Sequence, residues 1–397
     1  MAQLSIDFLV IAFIIYVLGT IVFVLSQSMK KWKQGDTERY SKRWGRIGFF
    51  LALLGFLFNA AYFVLRWIAE SHVPVSDMFE FTTFFGMMLV GAFLIIYLIY
   101  GKSVLGVFML PIAMIIIAYA SVFPSEMAPL IPALQSYWLY IHVTTAAAGE
   151  AILAVSFGAG LIYLIRVIDQ SNPGKHTFWL EFVMYSMLTA IAFVIVSWSF
   201  RLADFQTIFQ SVNDKGKHVK MTYDMPALIG PAGGHRVAGD AFGPLVSVPS
   251  WINGNQLNSL IWALIGGLVL YYLLRLVLRR RIAAAIQPIL KDVRPPLADE
   301  ISYRSVAIGL PVFALGGLIF AAIWAQMAWT KFWSWDPKEV WALITFLFYV
   351  AYLHLRLSRG WHGRKSAWLC VIGFVIIMFN LIFVNFVIAG LHSYAQT

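Results

Sequence analysis

Long apolar runs separated by polar connections set the rhythm of this chain. Ten runs recur, at about residues 8–29, 47–68, 79–100, 103–123, 138–165, 182–202, 258–278, 305–327, 340–356 and 366–390. Each holds roughly 20 residues, enough for a helix to cross about 30 Å of hydrocarbon. The pattern predicts an all-α integral membrane protein of about ten transmembrane helices, read as one polytopic membrane domain over 1–397. No repeat and no pair of Gly/Pro-broken spans is visible, which argues against a secondary transporter.

Two polar stretches interrupt the rhythm. Segment 203–256 carries turn chemistry at Asn213–Asp214, GPAGG (230–234) and Asn253–Gly254, and reads as a loop with one β-hairpin over the outer face. Segment 279–304, RRRIAAAIQPILKDVRPPLADEISYR, reads as a short cytoplasmic amphipathic helix closed by Pro295–Pro296.

Composition agrees with the membrane reading: 60% of the chain is apolar and 12% charged. Charge adds an orientation. Alternate connections (30–46, 166–175, 279–294 and 356–365), with Lys102, Arg275 and Arg304, hold 21 of the 29 basic residues. The positive-inside rule puts these in the cytoplasm, both termini outside, and the protein in the cytoplasmic (inner) membrane. The first run has its basic residues after it, unlike a cleavable signal peptide. The net charge of +10 is thus mainly an orientation signal, and no nucleic-acid motif accompanies it. A single cysteine, Cys370, excludes a CxxC pair within the chain.

The chemistry concentrates in WAQMAWTKFWSWDPKEVW, residues 324–341. Trp324, Trp329, Trp333, Trp335 and Trp341 fall in this one external loop, out of 15 tryptophans in 397 residues. Interfacial anchoring accounts for one or two indoles per helix end, not five. Asp336, Pro337 and Glu339 spell a capping box that starts the ninth span. A capped helix start also offers N–H groups and a positive dipole end to a carboxylate, and indoles offer a stacking platform. A large, planar, apolar and partly anionic ligand fits, and haem is such a ligand.

Haem needs axial ligands. Of eight histidines, His176, His218, His235 and His362 read as solvated loop residues. His142, in YWLYIHVTTAAAGE, starts the fifth span at its outer end, and the small residues Thr144–Gly149 that follow admit a close neighbour, helix or macrocycle. His392, in GLHSYA, follows the last span at the same depth. Both suit axial ligation beside the Trp-rich loop. His354, in YLHLRLSR, lies about 20–25 Å inward of Asp336–Pro337 at about 1.5 Å per residue, too far to reach the same iron. It needs a ligand partner from another protein, with Arg356 and Arg359 placed to hold carboxylates. His72, Glu150 and Glu181 stay open: a cap or neighbouring helix satisfies them, or they act near a haem or in proton relay.

The stretch WAQMAWTKFWSWDPKEVWALITFLFYVAYLHLR, continued to VNFVIAGLHSYA and more faintly at YWLYIHV and SHVPVSDMFEF, resembles the tryptophan-rich "WWD" signature of haem-handling proteins. It is most similar to the CcsA/ResC-type subunit of the System II cytochrome c biogenesis complex. The resemblance implies a haem-handling subunit of a cytochrome c synthase, with haem lyase-type activity shared with a CcsB/ResB-like membrane subunit. Such a subunit holds haem b at the outer face, with export of haem a further implied role. It presents the haem to the CxxCH segment of apocytochrome c for thioether attachment, and thiol-reducing proteins are further partners. By motif position His142 and His392 correspond to the two external ligands, and His354 to the inner site completed by the partner. Gln326–Met327 departs from the more polar pair expected there.

Two other readings share the membrane histidines. A dihaem, quinol-oxidising electron-transfer cytochrome pairs its ligands on facing helices at two depths of one chain, whereas the inner depth here offers one histidine. The System I haem-handling relatives share the Trp signature and differ in partner.

Overall fold

The computed structural model describes residues 1–28, 37–126, 130, 134–212, 218–231, 233–239, 243–249 and 253–384. Among them ten helices are long and apolar enough to cross a membrane. They are α1 (Ala2–Ser28), α2 (Thr37–Glu70), α3 (Met78–Tyr100), α4 (Ser103–Ala120), α5 (Tyr137–Val167), α6 (Lys175–Leu202) and α7 (Gly254–Leu278), then a span over Pro295–Trp329, α11 (Pro337–Arg359), and a last span from Arg364 to Val384. The eighth span comprises α9 (Pro295–Ala314), a π-helical turn over Leu315–Phe320 and α10 (Ala321–Trp329). The tenth comprises α12 (Arg364–Met378) and a second π-helical turn, Phe379–Val384. Polar residues cap some of the helix starts: Asp77 accepts from the Glu80 N–H at the start of α3, and Ser136 from the Trp138 N–H at the start of α5.

The chain forms two compact units where the apolar pattern reads as one body. The first joins Met1–Leu180 to Ala283–Met378. Its centre is α5, the most deeply enclosed of the spans. Glycines let α5 and the eighth span meet backbone to backbone. A Cβ on Gly149 would stand 2.5 Å from the Phe313 nitrogen, and one on Gly316 would stand 2.2 Å from the Ala146 nitrogen. The neighbour admitted by the small run Thr144–Gly149 is therefore a helix. The π turn adds a residue to the helical repeat where Gly316 meets α5, a local widening that recurs at functional sites.

Pro295 and Pro296 open α9, where proline's fixed φ suits a first helical turn. The short helix expected before these prolines is brief. It is a five-residue α8 (Ile282–Ile286) running into a 3₁₀ turn, Gln287–Leu290, and the last ten residues of 279–304 belong to the eighth span.

The second unit spans the described residues of Glu181–Ile282 together with Phe379–Val384. Its polar part is more than a hairpin. Strand β1 (Thr207–Val212) pairs antiparallel with β2 (His218–Tyr223) and with β4 (His235–Gly239), while β3 (Ile229–Gly230) and β5 (Val246–Ser247) form a short parallel pair. Phe209, Tyr223 and Ala227 make a small core. Strand β4 escapes a reading by alternation because all five of its residues are exposed. Asn258 on α7 fixes the segment by accepting from the Leu228 and Ile229 N–H groups. Glu181 is satisfied within this unit, accepting from the Tyr271 hydroxyl at 2.8 Å and the Ile282 N–H at 3.2 Å.

Candidate functional site

The Trp-rich connection joins α10 to α11 in the first unit. Thr330 ends α10 in the left-handed region, φ 60°, its N–H returning to the Gln326 carbonyl at 3.0 Å. Asp336 starts α11 with the expected capping box. Its carboxylate accepts from the Lys338 N–H at 3.4 Å, and Glu339 accepts from the Asp336 N–H at 3.3 Å. Glu339 does more than close the box: it also accepts from the Ser334 N–H at 2.8 Å and the Ser334 hydroxyl at 3.0 Å. That carboxylate therefore ties the loop to the helix start.

The five indoles are not equivalent. Trp324 is buried, Trp329, Trp333 and Trp341 are half-buried, and Trp335 is 70% exposed. Trp335 also holds φ at 59°, an unfavourable region for a bulky side chain. The fold thus spends conformational energy to present an indole outward. The ring planes are crossed: Trp324 meets Trp329 edge-on at 4.7 Å, and Trp333 meets Trp335 edge-on at 6.0 Å. The Trp333 indole nitrogen is buried with no hydrogen-bond acceptor among the described residues.

His142 is joined to this group. Its ring stacks on Trp324, centroids 5.7 Å apart and planes 15° apart. Its Nδ1 lies 2.8 Å from the Gly316 carbonyl in the π turn. A carbonyl only accepts, so Nδ1 carries the proton and Nε2 the lone pair. This is the arrangement of a metal-binding imidazole, whose other nitrogen donates to a backbone carbonyl. Gly316 therefore serves twice, through its missing side chain and through its oxygen.

His354 lies about 25 Å along α11 from Pro337 at about 1.5 Å per residue. It is exposed and belongs to an outward stripe with Ile344, Leu347, Val350 and Ala351, while Thr345, Tyr349, Tyr352 and Arg356 form the buried face. Arg356 is not placed to hold a ligand carboxylate. It forms a two-pronged ion pair with Asp299, at 2.9 and 2.8 Å, and donates to the Ser366 hydroxyl. Arg359 remains exposed. His392 lies outside the described residues.

Glu150 is buried on α5, two turns beyond His142, and the positive charge acting on it is Lys338 in the first turn of α11. Lys338 also stands 5.8 Å over the Phe81 ring, bringing the start of α3 beside the start of α11. Sequence reading missed Lys338, although its place inside the WDPKE signature was the available signal. His72 sits at the end of α2 with Arg66, Glu70, Asp77 and Glu80. Burial, and then the Glu80 charge, push the Asp77 carboxyl up to about 7.

Comparison with known proteins bears on this site. The model of the cytochrome C assembly protein family matches residues 259–392. The chain is 31% identical to the cytochrome c biogenesis protein CcsA of Gloeobacter violaceus over 333 residues, 83% of this chain and 80% of that protein. It is 32% identical to CcsA of Microcystis aeruginosa over 342 residues, 84% and 83% of the two chains. With CcsA of Trichormus variabilis the identity is 33% over 340 residues, 83% and 82% of the two chains.

Proposed function

Because this chain belongs to the CcsA family of cytochrome c biogenesis proteins, we propose that it is the haem-handling subunit of a cytochrome c synthase, with haem b as cargo at its outer face. The observation that carries this reading is His142, with Nδ1 held by the Gly316 carbonyl and the ring flat against Trp324 beside the Trp-rich connection. Other residues of the same Trp-rich connection carry groups that suit a haem. A buried Trp333 indole N–H without an acceptor suits an anionic ligand edge, and the exposed Trp335 and Phe332 offer flat apolar surface. In this reading His142 and His392 would supply the iron ligands, and Trp324, Trp329, Trp333, Trp335 and Trp341, with the helix start at Asp336, would hold the rest of the group.

When bound, haem supplies the two vinyl groups to which the thiols of an apocytochrome c CxxCH segment add. The chain's own part is placement. Gly316 sets the imidazole tautomer and angle, the capping box and Glu339 set the loop, and the exposed indole meets the incoming partner. Holding both reactants in register makes the addition effectively intramolecular. His354 stands on a face that meets lipid or another protein. An imidazole there is costly in lipid, so a CcsB/ResB-like subunit covers it and supplies a second histidine for an inner haem site.

The test is maturation of a reporter cytochrome c in cells whose own synthase is deleted, with this chain and its partner co-expressed. His142→Ala and His392→Ala should each lower haem attachment severalfold, and imidazole in the medium should restore part of it. Normal maturation by the double variant overturns the assignment.

A further inference from the structure

The connection between α2 and α3 gathers five ionisable side chains that the haem reading does not use. Arg66 is at their centre, with a side chain 1% exposed. Its Nε donates to Glu80 at 2.9 Å, Nη1 donates to the Ser125 carbonyl at 3.1 Å, and Nη2 lies 2.8 Å from Glu70 and 4.0 Å from Asp77. The second Glu80 oxygen accepts from the Ser76 N–H and hydroxyl, at 2.9 and 2.8 Å. Tyr62, on the same face of α2, brings no opposing charge at neutral pH. One guanidinium thus answers three carboxylates.

The fifth member is His72. Its Nδ1 lies 3.2 Å from the Val73 carbonyl, so Nδ1 carries the proton and Nε2 the lone pair. That nitrogen faces the Glu70 carboxylate, 3.8 Å from Oε2. Glu70 is 3% exposed at its side chain; its Oε1 pairs with Arg66 Nη2 at 2.8 Å, while its buried Oε2 has no hydrogen-bond partner among the described residues. Two acceptors therefore confront each other across a gap too long for a direct hydrogen bond. The gap suits two ligands of one ion, with bonds of about 2.0–2.2 Å each. One donor atom from each of Glu70, His72 and Glu80 lies within 4.8 Å of the others. Glu80 keeps lone pairs for a further contact, since each carboxylate oxygen has two.

We propose that Glu70, His72 and Glu80 form a binding site for one divalent cation of the zinc type, separate from the haem ligands, with Arg66 fixing the two glutamates. One imidazole and two carboxylates are a donor set that zinc accepts. Asp77, 40% exposed at its side chain, leaves the site open to solvent on one side. The site sits beside the start of α11, because Phe81, next to Glu80, packs under Lys338. A bound ion would fix the α2–α3 connection against that helix start.

The experiment uses the full chain, co-purified with its partner, stripped with chelator and equilibrated with Zn²⁺ against a chromophoric competitor. The wild type should retain one zinc per chain at this site. Glu70→Gln and His72→Gln should weaken its binding by about tenfold or more. His72→Cys, which keeps a zinc ligand, should retain it and shift the zinc absorption edge toward a sulfur-containing shell. His142→Ala should lose haem and keep the zinc, which separates this site from the haem reading. Zinc binding unchanged in both Gln variants overturns the proposal, as does a wild type that retains no zinc against the competitor.

Discussion

His142 and Gly316 are 174 positions apart in sequence, and the imidazole Nδ1 of one rests 2.8 Å from the carbonyl of the other. The contact exists because Gly316 has no side chain. A Cβ there would lie 2.2 Å from the Ala146 nitrogen and push α5 away. One residue thus sets both the distance between two helices and the tautomer of the candidate iron ligand.

Gly316→Ala should therefore destabilise the protein by roughly 1–3 kcal/mol through overpacking and lower haem occupancy together. Gly174→Ala, where a Cβ meets nothing within 4 Å, is the control and should change stability by less than about 0.5 kcal/mol. Thermal unfolding in detergent and the haem-to-protein ratio check both.

Glu339 makes three hydrogen bonds to Ser334 and Asp336 that tie the loop to the helix start, whereas the Asp336 carboxylate caps the first turn of α11. Glu339→Ala should cost more stability and more haem than Asp336→Ala. Asp336→Asn and Asp336→Ser still cap, and should stay within about 1 kcal/mol of the wild type. Equal loss in all three Asp336 variants would assign the role to the carboxylate's charge.

Arg356 and Asp299 bind each other in a protected place, with side chains 8% and 13% exposed. Arg356→Met leaves Asp299 buried and unpaired, and should destabilise by roughly 3–5 kcal/mol. Combining it with Asp299→Leu should recover part of that loss, as measured by thermal unfolding. A single variant as stable as the wild type would show that the pair does not hold α9 to α11.

How much of this was open to sequence reading follows from range. The spans are legible because each is one continuous apolar run, and the capping box because Asp336 and Glu339 are three residues apart. The Gly316 carbonyl is not legible, since no local pattern links it to His142. Nor is the ion pair of Arg356: an arginine near a span end reads as a ligand holder until Asp299, on another helix, is placed beside it. The third strand, β4, escapes because exposed residues carry no alternation. His354 shows the reverse case. Its outward stripe with Leu347 and Ala351 has helical spacing, but in a membrane both faces of a helix are apolar, so spacing alone does not tell lipid from core.

That stripe makes a separate prediction. Co-purified with its partner, the chain should bind more haem than it binds alone, and His354→Ala should remove the increment while sparing the outer haem. His354→Ala with undiminished haem in the complex would leave the histidine without a role in an inner site.

The central claim is that His142 is an axial ligand of the outer haem. Electron paramagnetic resonance of the oxidised, haem-loaded complex tests it most directly, in a His354→Ala background where only the outer haem remains. The account predicts a low-spin ferric signal of bis-imidazole type that turns high-spin in His142→Gly and returns to low-spin when imidazole is added. A low-spin signal that persists unchanged in His142→Gly without imidazole would contradict it.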